Sequence, residues 1–200
     1  MTESDRFGAK PAVLRCSRCG KFVDWEEAQV QVVCGCRPRI DLPPVLVREA
    51  TDADRAAARE LFERDFGRTR IVAFGEAIDI DQMPALVAVT TEQPAGALAY
   101  RLHGDALHIV ALATDPMWQR SGVGGHLLAE AELLARRLKL RRLVVSTTND
   151  NLPALHFYQR RGYRLTDLVP DNIIATTKQQ VAGFAGIPVR DEIRLEKKLA

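Results

Sequence analysis

The sequence contains no long hydrophobic run and almost no excess of charge of either sign. None of its apolar runs approaches the ~18 residues that are needed to cross a bilayer, and residues 1–20 lack the apolar centre of a secretory signal. Lys and Arg number 28 against 26 Asp and Glu, so no basic excess singles out nucleic acid or anionic lipid as the main partner. We therefore predict a cytoplasmic globular protein with no membrane segment.

Cysteine is absent from all but one short stretch. Two close pairs, a Cys-x-x-Cys and a Cys-x-Cys, are formed by Cys16, Cys19, Cys34 and Cys36. In a reducing compartment such a cluster favours metal over disulfides, and four sulfurs on two turns match a tetrahedral zinc site, although the second pair is closer than usual. We predict structural zinc in a zinc-ribbon-like module, residues 1–44, which ends in a proline-rich linker. A redox dithiol and a rubredoxin-type iron centre are the alternatives.

After residue 44 the pattern changes to alternating strands and helices without internal repeats. Helices are predicted after Thr51, from Val123 and from Pro153, because apolar residues recur there at helical spacing. This order predicts a second domain of the α/β (α+β) class, residues 45–200. Residues 169–188 have no periodic pattern, which is typical of a binding loop. Apolar runs predict strands at 45–50, 85–90, 95–102, 106–114, 143–148, 162–168 and 189–199.

A glycine-rich turn, residues 115–125, lies between a predicted strand and a predicted helix. Gly122, Gly124 and Gly125 in the first helical turn cost roughly 0.5 to 1 kcal/mol each relative to alanine. The first amides of a helix have no internal partner and lie at its positive end, so glycines there let an anion approach. A P-loop would need Gly-Lys-Ser/Thr, and a Rossmann turn would need glycine in place of Leu127. The turn predicts a phosphate cradle, with close packing of helix on strand as the alternative.

Two motifs in this region resemble those of the GCN5-related N-acetyltransferases, the GNAT family. Residues 119–124, QRSGVG, fit the Gln/Arg-x-x-Gly-x-Gly/Ala pattern at the place where that family has it, after the fourth strand and at the head of a helix. Arg120 stands where many members have glycine. The resemblance covers about residues 45–200 and leaves the cysteine module unexplained. The second signature is matched by Asn151, Ala154, the Phe157–Tyr158 pair and the Gly162–Tyr163 pair.

The resemblance implies a mixed central sheet flanked by helices, whose fourth and fifth strands splay apart around the pantetheine of acetyl-CoA. The pantetheine would pair with the backbone of Leu112, Ala113 and Thr114. Asn151 matches a side chain that contacts the cofactor, Tyr158 matches the general acid, and Arg160 or Arg161 would meet the outer phosphate. With Gln119 at the entrance, the pyrophosphate would accept hydrogen bonds from the amides of Arg120, Ser121, Gly122, Val123, Gly124 and Gly125.

The chemistry of acetyl transfer explains why such residues are needed. An amine that attacks a thioester forms a tetrahedral oxyanion, which requires oriented amides and an acid for the leaving thiolate. The usual pKa of a tyrosine hydroxyl, ~10, is close enough to the ~8.5 of a thiol for Tyr158 to protonate sulfur and still be neutral at pH 7. No serine lies in a Gly-x-Ser-x-Gly elbow and the cysteines belong to the N-terminal cluster. We therefore predict direct transfer within a ternary complex.

The sequence leaves the amine acceptor and the general base open. The acceptor could be a small molecule or a peptide, because the loops that form acceptor pockets vary within one fold. Residues 65–84 and 169–188 are expected to shape that pocket. The amine proton could pass through water to any of several carboxylates, namely Glu76, Asp79, Asp81, Asp115, Asp150, Asp191 and Glu192.

A second interpretation gives the working role to the N-terminal module. The protein would then be a nucleic-acid-binding or regulatory protein whose second domain senses acyl-CoA. Residues 1–44 hold seven Lys and Arg against six Asp and Glu, which makes nucleic acid an unfavourable partner because nucleic-acid-binding domains usually carry a marked basic patch. The module could also serve protein contacts or the formation of a homodimer.

Overall fold

The chain divides into two units, Met1–Pro43 and Pro44–Ala200. The computed structural model describes residues 45–90 and 94–199, together with two short strands of the first unit, β1 (Leu14–Arg15) and β2 (Phe22–Val23), which pair antiparallel. The four cysteines lie outside the described residues. The zinc site and the zinc-ribbon-like module therefore stay predictions.

The second unit consists of helices and a mixed sheet. Its helices are α1 (Arg55–Phe66), α2 (Val123–Arg137), α3 (Leu152–Gln159) and α4 (Asn172–Thr177). Its strands are β3 (Leu46–Glu49), β4 (Arg70–Ala73), β5 (Glu76–Asp79), β6 (Ala85–Val89), β7 (Pro94–His103), β8 (Ala106–Thr114), β9 (Arg142–Thr148), β10 (Arg164–Val169), β11 (Val181–Ala182), β12 (Pro188–Val189) and β13 (Glu192–Lys198).

The central sheet has seven strands in the order β10-β13-β9-β8-β7-β6-β3. Its neighbours are antiparallel except for β8 and β9, which run parallel. The predicted mixed sheet flanked by helices is thereby confirmed. Among the described residues, no helix combines the length and the apolar character that a membrane span requires.

Helices α1 and α2 cover opposite faces of the central strands. Phe62 of α1 is buried in one core cluster with Ala97 of β7. The preceding residue of β7, Gly96, faces α2, because a Cβ at Gly96 would lie 3.0 Å from the side chain of Val123 and 3.1 Å from that of Leu127. Successive residues of a strand point to opposite faces, and the absence of a side chain at Gly96 lets the first turn of α2 approach the sheet closely.

Several elements of the second unit were not predicted from the sequence. In the β4–β5 hairpin, the turn residues Phe74 and Gly75 have φ values of 56° and 82°, but Phe-Gly is not a pair that signals such a turn. The sequence of α4, NIIATT, is rich in β-branched residues, which disfavour helices. The last strand begins at Glu192 and not at residue 189, because Val189 pairs with Val181 in the β11–β12 hairpin.

Candidate active site

Strands β8 and β9 separate partway along their length. They pair only as far as Ile109 and Val145, although the strands continue to Thr114 and Thr148. The register between β7 and β8 shifts here, leaving Val110 as the extra residue of a bulge, and a bulge bends the strand that carries it. Beyond the bulge a gap opens between the two strands, and no strand of the described chain pairs with β8 on that side.

The N-terminus of α2 presents unpaired backbone amides. Gly122, the residue before the helix, has a left-handed φ of 102°, and the first helical bond runs from the His126 amide to the Gly122 carbonyl at 3.0 Å. Within the described residues, the amides of Gly122, Val123, Gly124 and Gly125 donate to no acceptor. These four amides, called the amide cradle below, lie at the positive end of the helix dipole and can bind an anion.

Ser121 differs from the expected arrangement. Its amide donates to the Trp118 carbonyl at 3.2 Å, and its hydroxyl donates to the same oxygen. Ser121 therefore closes the turn that precedes the cradle, and its amide is not free for an anion. Gln119 and Arg120 are exposed on the outer side of this turn.

Arg120 has a backbone conformation that favours glycine. Its φ is 63°, and a left-handed conformation costs an L-residue roughly 1 to 2 kcal/mol. We expect Arg120→Gly to raise the free energy of unfolding by about 0.5 to 1 kcal/mol, because the relief of strain exceeds the entropic cost of glycine. Urea denaturation measures this change. Lys139→Gly, at a φ of 57° and outside the cradle, is the matched control and should give a similar gain. A loss of stability in Arg120→Gly alone would contradict the strain argument.

Helix α3 lies against the amide cradle. The helix is capped by Asn151, whose side-chain oxygen accepts the Ala154 amide at 3.1 Å. Further along α3, the Phe157 ring lies beside Gly124, where a Cβ would be 3.4 Å from the ring and 3.5 Å from the Leu112 side chain. The structure thus brings β8, the start of α2 and α3 together, as the two sequence motifs suggested.

Of the two candidate arginines that directly follow α3, Arg161 lies at the cradle. Its guanidinium stacks on Phe157, 3.8 Å from the ring centroid, and donates to the Phe157 carbonyl at 3.1 Å. A Cβ at Gly125 would lie 2.8 Å from a terminal nitrogen of Arg161. Burial, followed by the charge of Arg160, lowers the pKa of Arg161, yet a guanidinium stays charged at neutral pH. Arg161 forms no salt bridge within the described residues, so its charge is available to an anion in the cradle.

Tyr158 is buried next to these residues. Its ring contacts Phe157 edge-on at 5.1 Å and Tyr163 at 5.5 Å, measured between centroids, and only 6% of the residue is exposed. Burial raises the pKa of the Tyr158 hydroxyl above its usual value. The hydroxyl is therefore protonated at neutral pH. It forms no hydrogen bond within the described residues.

An open pocket of about 460 Å³ adjoins the gap between β8 and β9. On the side of the gap it is lined by Val110, Asn151 and residues 146–148. The other walls come from residues 66–77 and 173–189. Both segments that the sequence analysis selected for the acceptor, residues 65–84 and 169–188, therefore contribute to this pocket.

A buried carboxylate holds the walls of the open pocket together. Glu192 is fully buried on β13 and accepts hydrogen bonds from the Gly75 amide at 2.9 Å, the Ser146 hydroxyl at 2.9 Å, the Asn172 side chain at 2.6 Å and Arg194 at 2.8 Å. Burial alone would raise the pKa of Glu192, but the hydrogen bonds, led by that of Arg194, outweigh it and the pKa is lowered. One ionised side chain thus fixes the β4–β5 hairpin and α4 to the sheet.

The segment that contains β11 and β12 is held in a similar way. The Asp150 carboxylate accepts the Phe184 amide at 3.0 Å, and the Asn149 side chain accepts the Arg190 and Asp191 amides, each at 3.0 Å. A Cβ at Gly183 would lie 1.9 Å from the Asp150 carboxylate. This close approach requires glycine at position 183 and ties the segment to the end of β9.

Every carboxylate named above as a candidate base already has a partner. None of these carboxylates lines the open pocket. None of these carboxylates can therefore take the amine proton directly in the pocket. Transfer of the proton through water to one of them is consistent with the geometry. The partners are Arg101 for Glu76, the Asp81 amide for Asp79, Arg59 for Asp81, Arg64 for Asp115, Thr148 and Phe184 for Asp150, Arg190 and the Asp171 amide for Asp191, and the four donors already given for Glu192.

A half-buried histidine on β8 predicts acid sensitivity of the fold. His108 stacks on Phe74 at 4.2 Å, and its Nδ1 is buried with no partner among the described residues. Burial, and then the charge of Arg101, lowers the pKa of His108 from 6.5 to about 4. Between these pH values the unfolded chain binds a proton that the folded chain does not, so stability falls as the pH drops from 6.5 to 4.

We expect His108→Gln to reduce that pH dependence. Urea midpoints measured at intervals between pH 7 and pH 4 should fall less steeply in the variant than in the parent chain, because the titrating group is gone. Equal slopes in the two proteins would show that His108 does not carry the acid sensitivity. His103→Gln, which removes an exposed histidine 5.1 Å from His108, is the control and should keep most of the slope.

The residues described above fall within a known sequence family. The model of the Acetyltransferase (GNAT) family matches residues 55–163. Two relatives from Bacillus subtilis, the uncharacterized proteins YxbD and YdhI, are 31% and 29% identical to this chain over 143 residues. The alignments cover 69% of this chain and 89% and 88% of the relatives.

Solved structures with the same fold agree with this match. An IAA acetyltransferase from Bacillus cereus superposes with a TM-score of 0.64 at 22% identity, over 78% of this chain and 100% of that chain. A GNAT family acetyltransferase from Elizabethkingia anophelis with acetyl-CoA bound gives a TM-score of 0.66 at 22% identity, over 78% of this chain and 98% of that chain. Because the family match spans more than half of the chain, this protein belongs to the GNAT family and is, as its sequence predicted, an acetyl-CoA-dependent acetyltransferase.

Proposed function

We propose that the protein transfers an acetyl group from acetyl-CoA directly to an amine in a ternary complex. The observation that carries the proposal is the gap between β8 and β9, which lies beside the amide cradle on one side and the open pocket on the other. This arrangement offers separate places for the cofactor and the acceptor, which meet where β8 and β9 part.

The diphosphate of acetyl-CoA would bind at the amide cradle. Gly122, Val123, Gly124 and Gly125 supply the unpaired amides, and Arg161 adds a charge that no carboxylate of the described residues neutralises. Charge-assisted hydrogen bonds of this kind contribute roughly 1.5 to 3 kcal/mol each. Gln119 and Arg120 lie on the exposed side of the turn that precedes the cradle. Ser121 stabilises this turn, and its amide does not take part in binding the diphosphate.

The pantetheine would lie along β8 beyond the bulge. Leu112, Ala113 and Thr114 have no strand on the side of the gap within the described residues, so alternate amides and carbonyls there can pair with an extended amide-bearing chain. The thioester would then reach the level of Val110 and Ser146, where the open pocket begins. Asn151, the residue that caps the N-terminus of α3, lines the same pocket.

The chemistry would use the protonated Tyr158 hydroxyl as a hydrogen-bond donor. The amine nitrogen forms a bond to the carbonyl carbon, the carbon–sulfur bond breaks, and the leaving thiolate takes a proton from water, which balances the proton that the amine releases. Since burial raises the pKa of Tyr158 above that of a thiol, ~8.5, the hydroxyl supports the developing thiolate mainly by donating a hydrogen bond. The proton released by the amine would leave through water, because no carboxylate lines the open pocket.

The assay for this proposal is thiol release from acetyl-CoA by the full chain against a panel of amines. Release that depends on the amine, with the acetylated amine identified by mass spectrometry, is the expected result. Acetylation of the enzyme itself without any amine would contradict direct transfer. The structural zinc, the homodimer and the cytoplasmic location stay predictions from the sequence.

A further inference from the structure

The charged residues that line the open pocket are all positive. Its lining includes Arg68, in the turn after α1, and Arg70, the first residue of β4, and it includes no Asp or Glu. The remaining lining is apolar or carries hydroxyl and amide groups, such as those of Ser146, Thr147 and Gln179. A pocket with two cations and no carboxylate would repel an acceptor that carries only positive charge.

The two arginines also differ from their neighbours in the chain. Arg55, Arg59 and Arg64 on α1 each form a salt bridge with a carboxylate, at 2.9, 2.9 and 2.5 Å. The side chains of Arg68 and Arg70 form no salt bridge or hydrogen bond within the described residues. Both residues line the open pocket and both are exposed, so their guanidinium groups are available to an anion from solution.

We propose that the acceptor is an anionic amine, a compound in which the reacting amino group is accompanied by a carboxylate or a phosphate that binds Arg68 and Arg70. This inference rests on the proposed function. The same two charges would disfavour the protonated form of the amine. That effect assists loss of the amine proton in a pocket whose walls contain no carboxylate base.

The test compares acceptors that differ only in the anion. O-Phosphoethanolamine is paired with ethanolamine, and leucine with leucinamide, and kcat/KM is measured at saturating acetyl-CoA. We expect at least one compound that carries the anion to exceed its partner without the anion by about tenfold or more, the effect of one charge-assisted contact. The Arg68→Gln, Arg70→Gln double variant should reduce that ratio to about twofold or less, with the KM for acetyl-CoA unchanged. Arg136→Gln, an exposed arginine on α2, is the control and should keep the preference.

The possible failures are distinguishable. A preference for ethanolamine and leucinamide, or a ratio that the double variant leaves unchanged, would overturn the anionic acceptor. A rise in the KM for acetyl-CoA in the double variant would assign the arginines to the cofactor and overturn it as well. No turnover of either pair by a chain that binds acetyl-CoA in calorimetry would overturn this inference alone, whereas failure to bind acetyl-CoA would overturn the proposed function.

Discussion

Changing Gly125 to Asp is expected to weaken CoA binding by at least ~100-fold and to leave the fold intact. The new carboxylate would stand in the amide cradle, repel the diphosphate and pair with Arg161, whose terminal nitrogen lies 2.8 Å from the position of a Cβ at Gly125. A 100-fold loss corresponds to about 2.7 kcal/mol, which is the size of one or two charge-assisted hydrogen bonds. Isothermal titration calorimetry of the full-length variant with CoA measures the loss.

The stability of this variant separates binding from folding. An acidic residue in the first turn of a helix is favourable because of the helix dipole, so the thermal midpoint of Gly125→Asp should equal or exceed that of the parent. Gly125→Asn, with a side chain of similar size and no charge, is the control and should lose far less affinity. Equal losses in the Asp and Asn variants would point to a steric effect and would contradict the electrostatic role of the cradle.

Changing Tyr158 to Phe is expected to lower kcat by about 100-fold, with little change in the KM for acetyl-CoA. Removal of a positioned proton or hydrogen-bond donor costs roughly this much or more, and the phenol ring that packs against Phe157 and Tyr163 is kept. Steady-state thiol release, measured with an amine that the enzyme acetylates, gives both kcat and the KM for acetyl-CoA. Because the hydroxyl has no partner within the described residues, the free energy of unfolding should change little.

Tyr163→Phe is the matched control for this experiment. Tyr163 is also buried, and its hydroxyl is buried without a partner in the described residues. Its removal should leave turnover unchanged and should not lower stability. A normal kcat in Tyr158→Phe would remove Tyr158 from the chemistry, and an equal loss in both variants would indicate a packing effect.

The amide cradle could be predicted from the sequence because its signal is local. Three glycines at the start of a helix cost stability and so indicate a ligand. The spacing of Gly122 and Gly124 carried the family resemblance as well. The free amides depend on the first helical turn alone. The Ser121 amide, which was expected to donate to the pyrophosphate, donates instead to the Trp118 carbonyl, and this contact is equally local.

The open pocket could not be predicted because it depends on contacts between residues far apart in the chain. Glu192 was only one of several candidate carboxylates in the sequence, yet it joins Gly75 and Asn172 to Ser146. The turn at Phe74 and Gly75 and the short helix α4 have weak local signals. The pairs of Arg55 with Asp52 and of Arg59 with Glu63 are local in the sequence, but that Arg68 and Arg70 line a pocket together depends on the fold.

The most direct test of the account is a titration of the full chain with CoA, followed in a ¹⁵N–¹H correlation spectrum. The backbone signals of Gly122, Gly124 and Gly125 should shift in proportion to saturation, while that of Gly104, in the turn between β7 and β8, should stay in place. Shifts confined to other residues, with the three cradle glycines unmoved at saturating CoA, would contradict the claim that these amides bind the diphosphate.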